Sequence, residues 1–468
     1  MLSVFLALTT RKNTVNTMFR INPRIKWRWE GDKILLNTFM SMNRTAGEVL
    51  DLYKELNEPH LIVKAVKEKY PDMPHEAIDR DIHALTEQFK KWRIVVPEGS
   101  SDYSVPVVSN YMEYVNHVFH NRLSAPVQVA CEITTACNAC CPHCSGYSVG
   151  NNELTTEEWK NLIDQISCMG VFTVTFTGGE PLLRKDLEEL VTYAANKGLH
   201  VIIATNGFCL NEEEVQILSI AGVKTVMISI DGPDSETHDT FRGLPGSFAR
   251  AVRAVRLLQE KGIGVVILTA VTQVNVKKIP EIIELTDRIG ATFLDLMRLV
   301  PIGRAEKSSL EPSFEDYLEL LPKIREKERE YPQLCIEYPN LPAVLFKKTV
   351  GLDYYEELKS ENRIEVGGAG IVICTVDPYG NVKLCDFPLE LTLGNVREHD
   401  LQLLWDTSPV FNYVREGGGT TPYAPCVLGD VCIVRYKSFS IPDGEQALQN
   451  TFCEQCYNTF TKEVSTHG

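Results

Sequence analysis

Two hydrophobic periods divide the chain. Over 19–96 the pattern is short and mixed. "RIKWRWEGDKILLN" alternates about Gly31-Asp32, which predicts a β-hairpin closed by a tight turn. Apolar residues then recur at helical spacing over 45–56, 60–69 and 75–92, with Pro71 and Pro74 separating the last two helices. A small sheet against three helices is expected, a winged-helix-like α+β domain over 19–97. The Pro, Gly and Ser content of "VPEGSSDYSVPVVSN" (96–110) reads as linker, assigned to 98–126.

From 127 the pattern becomes apolar strand-like runs alternating with helical stretches. The runs are "VQVACEI" (127–133), "FTVTFT" (172–177), "VIIAT" (201–205), "TVMISI" (225–230), "VVILTAV" (265–271) and "TFLDLMRLV" (292–300). The first intervening helix opens with the capping box Thr155-Thr156-Glu157-Glu158; later ones stop at Gly198 and Gly262. Such repetition implies parallel pairing through right-handed crossovers. Six units predict an α/β fold, a partial (β/α)6 barrel over 127–335, with a cysteine-rich C-terminal domain over 336–468. No internal repeat is visible, and "GGGTT" (417–421) is a loop.

Composition narrows the function. A chain of 468 residues has room for about three domains. A net charge of -15 argues against nucleic acid and anionic membrane as partners, and no apolar run reaches the length of a membrane span. The opening "MLSVFLALTTRK" lacks the basic flank and cleavage site of an export signal, and patterned sequence starts at Met18, an alternative initiator. The 14 cysteines include none before 131 and cluster at 137–144 and between 374 and 456. In a long chain without export features, such clusters read as metal ligands in a reducing compartment, so a cytoplasmic location is expected.

Functional groups of a parallel α/β barrel gather where strands end. Five unusual loops fall there: "CEITTACNACCPHC" (131–144), "TGGEPLL" (177–183), "TNG" (205–207), "SIDGPDSETHDTFRG" (229–243) and "RLVPIGRA" (298–305). The first admits two registers. Two abutting CxxC pairs suit zinc. A CxxxCxxC triad of Cys137, Cys141 and Cys144, with Cys140 a bystander, suits an iron–sulfur cluster with one open iron. Gly178 and Gly179 admit close backbone approach, and Glu180 offers a carboxylate to an ammonium group. Asn206, Ser229 and Asp231 offer short hydrogen-bonding groups suited to a ribose, and Arg242 a fork for a carboxylate. On one rim they describe a site for an amino acid joined to a nucleoside, a description that S-adenosylmethionine (SAM) fits. Cys131, Cys168, Cys209 and Cys335 read as structural thiols, the first, second and fourth in the core.

The CxxxCxxC loop, Gly178-Gly179-Glu180 and these strand-end residues together resemble the radical SAM superfamily. The resemblance implies that Cys137, Cys141 and Cys144 hold three irons of a [4Fe-4S] cluster whose open iron binds SAM. An electron from a flavodoxin- or ferredoxin-type donor then yields methionine and a 5′-deoxyadenosyl radical that abstracts hydrogen from substrate. His143 departs from the aromatic residue often found there. From 367, "GGAGIVICTVDPYGNVKLCDFPLELTLGNVREHDLQLLW", with its Gly380-x4-Cys385 turn, resembles the SPASM or twitch extension, implying at least one auxiliary iron–sulfur cluster. Its candidate ligands are Cys374, Cys385, Cys426, Cys432, Cys453 and Cys456. The match is partial: Tyr423 replaces a cysteine, Cys374 lies close to Gly380, and zinc on the last four is the alternative. The N-terminal hairpin and three helices resemble the PqqD-like element that docks the leader of a precursor peptide. The implied activity is peptide maturation, with a thioether crosslink of sactipeptide or ranthipeptide type expected. Carbon–carbon crosslinking, epimerisation, tetrapyrrole modification and a zinc-binding peptide adaptor are the competing readings.

Overall fold

The computed structural model describes residues 18–37, 40–100, 123–146 and 152–299, and most of 303–358, 371–384 and 392–415. It divides into two units, Met1–His117 and Val118–Gly468.

The first unit runs β1 (Phe19–Ile21), β2 (Trp27–Glu30), β3 (Lys33–Leu36), β4 (Met40–Asn43), α1 (Arg44–Leu52), α2 (Pro59–Lys69), α3 (His75–Lys91) and β5 (Val95–Pro97). The expected hairpin is β2–β3, turning at Gly31 with φ of 60°. β4 extends it to a three-stranded antiparallel sheet, and β1 pairs with β5. These extra strands are three or four residues long, too short to display alternation in sequence. Asn43 starts α1 by accepting the Ala46 N–H on its side chain. Ile34, Leu36, Leu50, Ile62 and Phe89 form the core.

The second unit contains β6 (Gln128–Glu132), α4 (Thr156–Cys168), β7 (Thr173–Thr177), α5 (Leu187–Asn196), β8 (His200–Thr205), α6 (Glu212–Ala221), β9 (Thr225–Ser229), α7 (Ser235–Arg242) and α8 (Ser247–Glu260). It continues with β10 (Gly264–Val271), α9 (Ile279–Arg288), β11 (Phe293–Arg298), α10 (Phe314–Glu330), β12 (Cys335–Glu337), β13 (Ile373–Val376), β14 (Val382–Lys383), α11 (Leu401–Thr407) and α12 (Pro409–Arg415). One nine-stranded sheet has the order β12-β11-β10-β9-β8-β7-β6-β13-β14, parallel except for β14. All six expected strands form. The sheet is wider than six because β12 extends one edge and the β13–β14 hairpin joins the other beside β6.

Neighbouring strands follow one another in sequence from β6 to β12, so right-handed crossovers place the helices on one face. Val174, Phe176, Val201, Ile203, Val226 and Ile228 are fully buried on that face against helix residues such as Trp159 and Ile163. The alternate positions Thr173, Thr177, Ile202, Ala204, Met227 and Ser229 are partly exposed and lie on the opposite face. Among the described residues no helix is long and apolar enough to cross a membrane.

Two thiols expected in the core lie elsewhere. Cys168 is exposed at the end of α4 and Cys335 is only partly buried on edge strand β12, whereas Cys131 is fully buried. Their apolar neighbours in sequence concealed a terminal turn and a sheet edge.

Candidate active site

The loop after β6 rests on the loop after β7 through backbone contact. Thr134 carbonyl accepts the Gly179 N–H at 2.8 Å and Ala136 carbonyl accepts the Glu180 N–H at 2.7 Å. A Cβ on Gly178, whose φ is +126°, would lie 2.5 Å from the Thr134 oxygen; one on Gly179 would lie 2.2 Å from the Ala136 oxygen. The two glycines therefore admit the cysteine loop itself. The sequence alone suggests that they admit a ligand.

Glu180 is fully buried and turned inward. Its Oε1 accepts from the Thr205 hydroxyl at 2.6 Å and the Leu182 N–H at 3.2 Å, and its Oε2 accepts the Asn206 N–H at 2.8 Å. Burial pushes its carboxyl above the usual value, against these bonds and Arg242, which lower it. The expected role of holding an ammonium gives way to bracing the loop after β8. Asn206 continues the brace, donating from Nδ2 to Asn138 of the cysteine loop at 2.7 Å.

The loop after β9 supplies a buried ion pair. Arg242 donates to Asp231 Oδ2 through Nε at 2.7 Å and Nη2 at 2.6 Å, while the Ala270 N–H occupies Oδ1. The fork expected to grip a ligand carboxylate thus grips Asp231. Burial would raise the Asp231 carboxyl, but Arg242, His143 and His238 outweigh it and hold it low. The Arg242 carbonyl meanwhile accepts the Cys140 N–H at 3.1 Å, and the Cys141 thiol lies 3.8 Å from it. Ser229 ends β9 and is partly exposed.

Cys137, Cys141 and Cys144 are gathered closely enough that neighbouring thiolates raise Cys137 and Cys141. Burial raises Cys137 and Cys141, and the Arg242 charge pulls both back toward the thiolate that metal binding requires. Cys140 points to solvent, with Arg304 Nη1 at 4.0 Å. His143 stacks on Phe241 with centroids 4.6 Å apart and planes 5° from parallel; burial pushes it down to about 4. It supplies a flat neutral ring at the position where an aromatic was expected. Among the described residues no three Cys, His or carboxylate side chains are gathered as ligands of a single metal ion.

Residues 131–286 match the radical SAM superfamily, and residues 369–432 match an iron-sulfur cluster-binding domain, SPASM. The chain is 33% identical over 314 residues to an AdoMet-dependent heme synthase of Methanosarcina barkeri, covering 63% of this chain and 86% of that protein. The chain belongs to the radical SAM superfamily. It is an enzyme whose cofactors are SAM and iron–sulfur clusters. It is also 34% identical over 321 residues to the mycofactocin maturase MftC of Mycolicibacterium smegmatis, covering 67% of this chain and 79% of that one. In fold it resembles SuiB of Streptococcus suis, solved bound to the precursor peptide SuiA. The TM-score is 0.67 at 16% identity, over 93% of this chain and 100% of SuiB. A mixed α/β architecture with a parallel sheet is thereby established for this radical SAM enzyme.

In the SPASM region the structure reaches one of the six candidate ligands. Cys374 stands in β13 beside Val129 of β6, on the apolar face, fully buried, and burial pushes its thiol up to about 12. Those are the surroundings of a core thiol rather than of a thiol in an open loop. Cys385, Cys426, Cys432, Cys453 and Cys456 lie outside the described residues.

Sequence reasoning missed several residues that hold the site together. His238 accepts the Asp231 N–H on Nδ1 at 3.0 Å, and Asn275 donates to the Asp231 carbonyl at 3.0 Å. Arg184 donates to the Ile133 carbonyl at 2.6 Å and the Leu154 carbonyl at 3.0 Å. Of these only His238 carried a signal, its place inside the quoted loop after β9.

Proposed function

We propose that this radical SAM enzyme matures a ribosomally synthesised precursor peptide and installs a thioether crosslink. The observation that carries the reading is a separate N-terminal unit ahead of the barrel, whose three-stranded sheet keeps an edge. Among the described residues β4 pairs with β3 alone. An extended leader peptide adds to such an edge by backbone pairing, as in PqqD-like recognition. The likeness to SuiB, solved with its precursor peptide, supports this. On this reading 19–97 is a winged-helix-like recognition domain, 98–126 a linker, 127–335 the barrel and 336–468 the SPASM or twitch extension, in a cytoplasmic protein.

Cys137, Cys141 and Cys144 hold the barrel cluster, and Cys385, Cys426, Cys432, Cys453 and Cys456 remain the candidates for an auxiliary one. When bound, the cluster and SAM supply a 5′-deoxyadenosyl radical, with the electron coming from a flavodoxin- or ferredoxin-type donor. The chain's own residues do the positioning. Backbone at Gly178 and Gly179, with Asn206 and Ser229, frames the SAM pocket; Glu180 keeps the loop after β8 in place, and Arg242, held by Asp231, draws Cys137 and Cys141 toward the thiolate. Each link removes two hydrogens from the peptide, one from carbon as an atom and one from sulfur as a proton. The auxiliary iron–sulfur cluster, held by cysteines of the extension, would accept the surplus electron.

The test is anaerobic. Reconstituted enzyme with SAM, reductant and precursor peptide is expected to form 5′-deoxyadenosine and a peptide lighter by two hydrogens per link. The Cys137, Cys141 and Cys144 alanine triple variant forms neither. Unchanged peptide mass with exchanged stereochemistry would replace the thioether with epimerisation; loss of two hydrogens without a carbon–sulfur bond would indicate carbon–carbon crosslinking. A second reading, tetrapyrrole modification, is favoured by the relatives named as heme synthases. Turnover of an iron porphyrin precursor with no response to any leader peptide would establish it instead.

A further inference from the structure

The SPASM match reaches back to the cysteine loop by two separate routes. Lys383 of β14 extends from the far edge of the sheet to β6, where its Nζ meets Glu132 Oε2 at 2.7 Å. Both side chains are buried, 7% and 1% exposed. Between them stands Thr375 of β13, the register partner of both Lys383 and Ala130, with its hydroxyl buried and unpartnered. Glu132 closes β6 five residues before Cys137, and its backbone lies against Gly178.

The second route runs through Arg397. It donates to Glu158 by Nε at 2.6 Å and Nη2 at 3.1 Å, to the Asn152 carbonyl at 3.2 Å and to the Glu153 carbonyl at 3.4 Å. Asn152 has φ of 100°, a conformation costly for a residue with a side chain unless its surroundings impose it. Glu153 then faces the cysteine loop. Its Oε1 accepts the Thr135 N–H at 2.7 Å, the Thr135 hydroxyl at 2.8 Å and the Thr134 hydroxyl at 3.3 Å. Next to it the Leu154 N–H donates to the Pro378 carbonyl at 2.7 Å.

Thr134 and Thr135 are thus held on one side by the Arg397 route and preceded by the Glu132–Lys383 pair on the other. A buried ion pair is a poor source of net stability, since an apolar pair of similar volume does about as well. What it supplies is a definite geometry. We propose that Lys383 and Arg397 are positioning residues through which the iron–sulfur extension sets the conformation of the cysteine loop. Lys383 stands two residues before Cys385, so order in the extension is coupled to order at the SAM site. The inference rests on the reading of Cys137, Cys141 and Cys144 as cluster ligands.

The test uses the full-length reconstituted protein and reads SAM affinity, the electron paramagnetic resonance (EPR) spectrum of the reduced cluster with and without SAM, and thermal stability. Arg397→Met and Lys383→Met are each expected to weaken SAM binding by roughly tenfold, an ordinary coupling between sites, and to alter the SAM-induced spectral change. Arg397→Lys and Lys383→Arg should recover part of both. The paired Glu132→Gln, Lys383→Met variant removes the charge imbalance. It should regain stability yet stay defective in SAM binding; recovery of both together would reduce the pair to a structural staple and overturn the inference. Should Lys383→Met fail to fold, Arg397→Met decides, because Glu158 still caps α4 through Thr155. Wild-type protein with no SAM-responsive cluster would sink the ligand reading itself. A normal wild-type spectrum shared unchanged by the variants would sink only the coupling.

Discussion

The cysteine loop after β6 and the described thiol of the extension differ in environment. Cys137 is exposed in a loop after β6, within the field of Arg242, while Cys374 is sealed within β13 against β6. Burial makes the thiolate expensive at Cys137, Cys141 and Cys374 alike; Arg242 offsets it at the first two and Arg415 at the third, which is still pushed up to about 12. The contrast teaches that cysteines of two motifs enter the fold differently, one set in a loop at a strand end and the other within a strand. The same two regions differ in construction. The rim is held by contacts between successive loops, whereas the extension joins through the β13–β6 backbone pairing and through charged side chains that reach residues more than 200 positions away.

The strongest way to break this comparison is to spoil the rim's backbone contact. Gly179→Ala places a methyl group against the Ala136 carbonyl, and SAM cleavage should fall by roughly 100-fold or more, as for a misplacement of about 1 Å. Measured 5′-deoxyadenosine within a few-fold of wild type would mean that the loops do not need this approach. Next is Asp231→Asn, which leaves the Arg242 charge buried without its counterion. Urea unfolding should show a loss of about 3–5 kcal/mol. Stability close to wild type would show that another group takes over the guanidinium.

A sharper probe of the thiol contrast is Cys374→Ala. Iron per chain should not change, because the side chain is a core group; loss of about four irons would restore Cys374 to the ligand set. The smallest effect concerns pH. Hydrogen bonds from Arg397, its largest influence, hold Glu158 down at about 2 in the folded protein, against an ordinary value of 4.5. A depressed carboxylate contributes stability that is present above the unfolded value and lost as pH falls through the folded one. The difference in melting temperature between wild type and Arg397→Met should therefore be full above about pH 4.5 and shrink toward pH 2. A difference independent of pH over that window would assign the effect to packing of the Arg397 stem.

Much of the architecture was legible in sequence because it is written in local periods. The six strands 127–300, the capping box at Thr155 and the helix ends near Gly198 and Gly262 each need only a few neighbouring residues to declare themselves. The convergence of five loops on one rim followed from strand polarity alone. The strands β12, β13 and β14 were not legible, because two to four residues carry no period and their partners lie far away in the chain. For the same reason Glu180 and Arg242 were recognised as site residues but assigned outward-facing duties, whereas their partners Thr205, Asn206 and Asp231 turn them inward.

By itself, then, the sequence determined the repeating α/β pattern, the rim on which the chemistry gathers and the spacing of the cysteine triad, all of which depend on neighbours within a turn or a strand. The tertiary structure alone decided which side each polar group faces, that Cys374 belongs to the core, and that Lys383 and Arg397 reach the cysteine loop. Those outcomes depend on burial and on ion-pair partners brought together from distant parts of the chain, and no local pattern encodes which distant charge will arrive beside a given carboxylate.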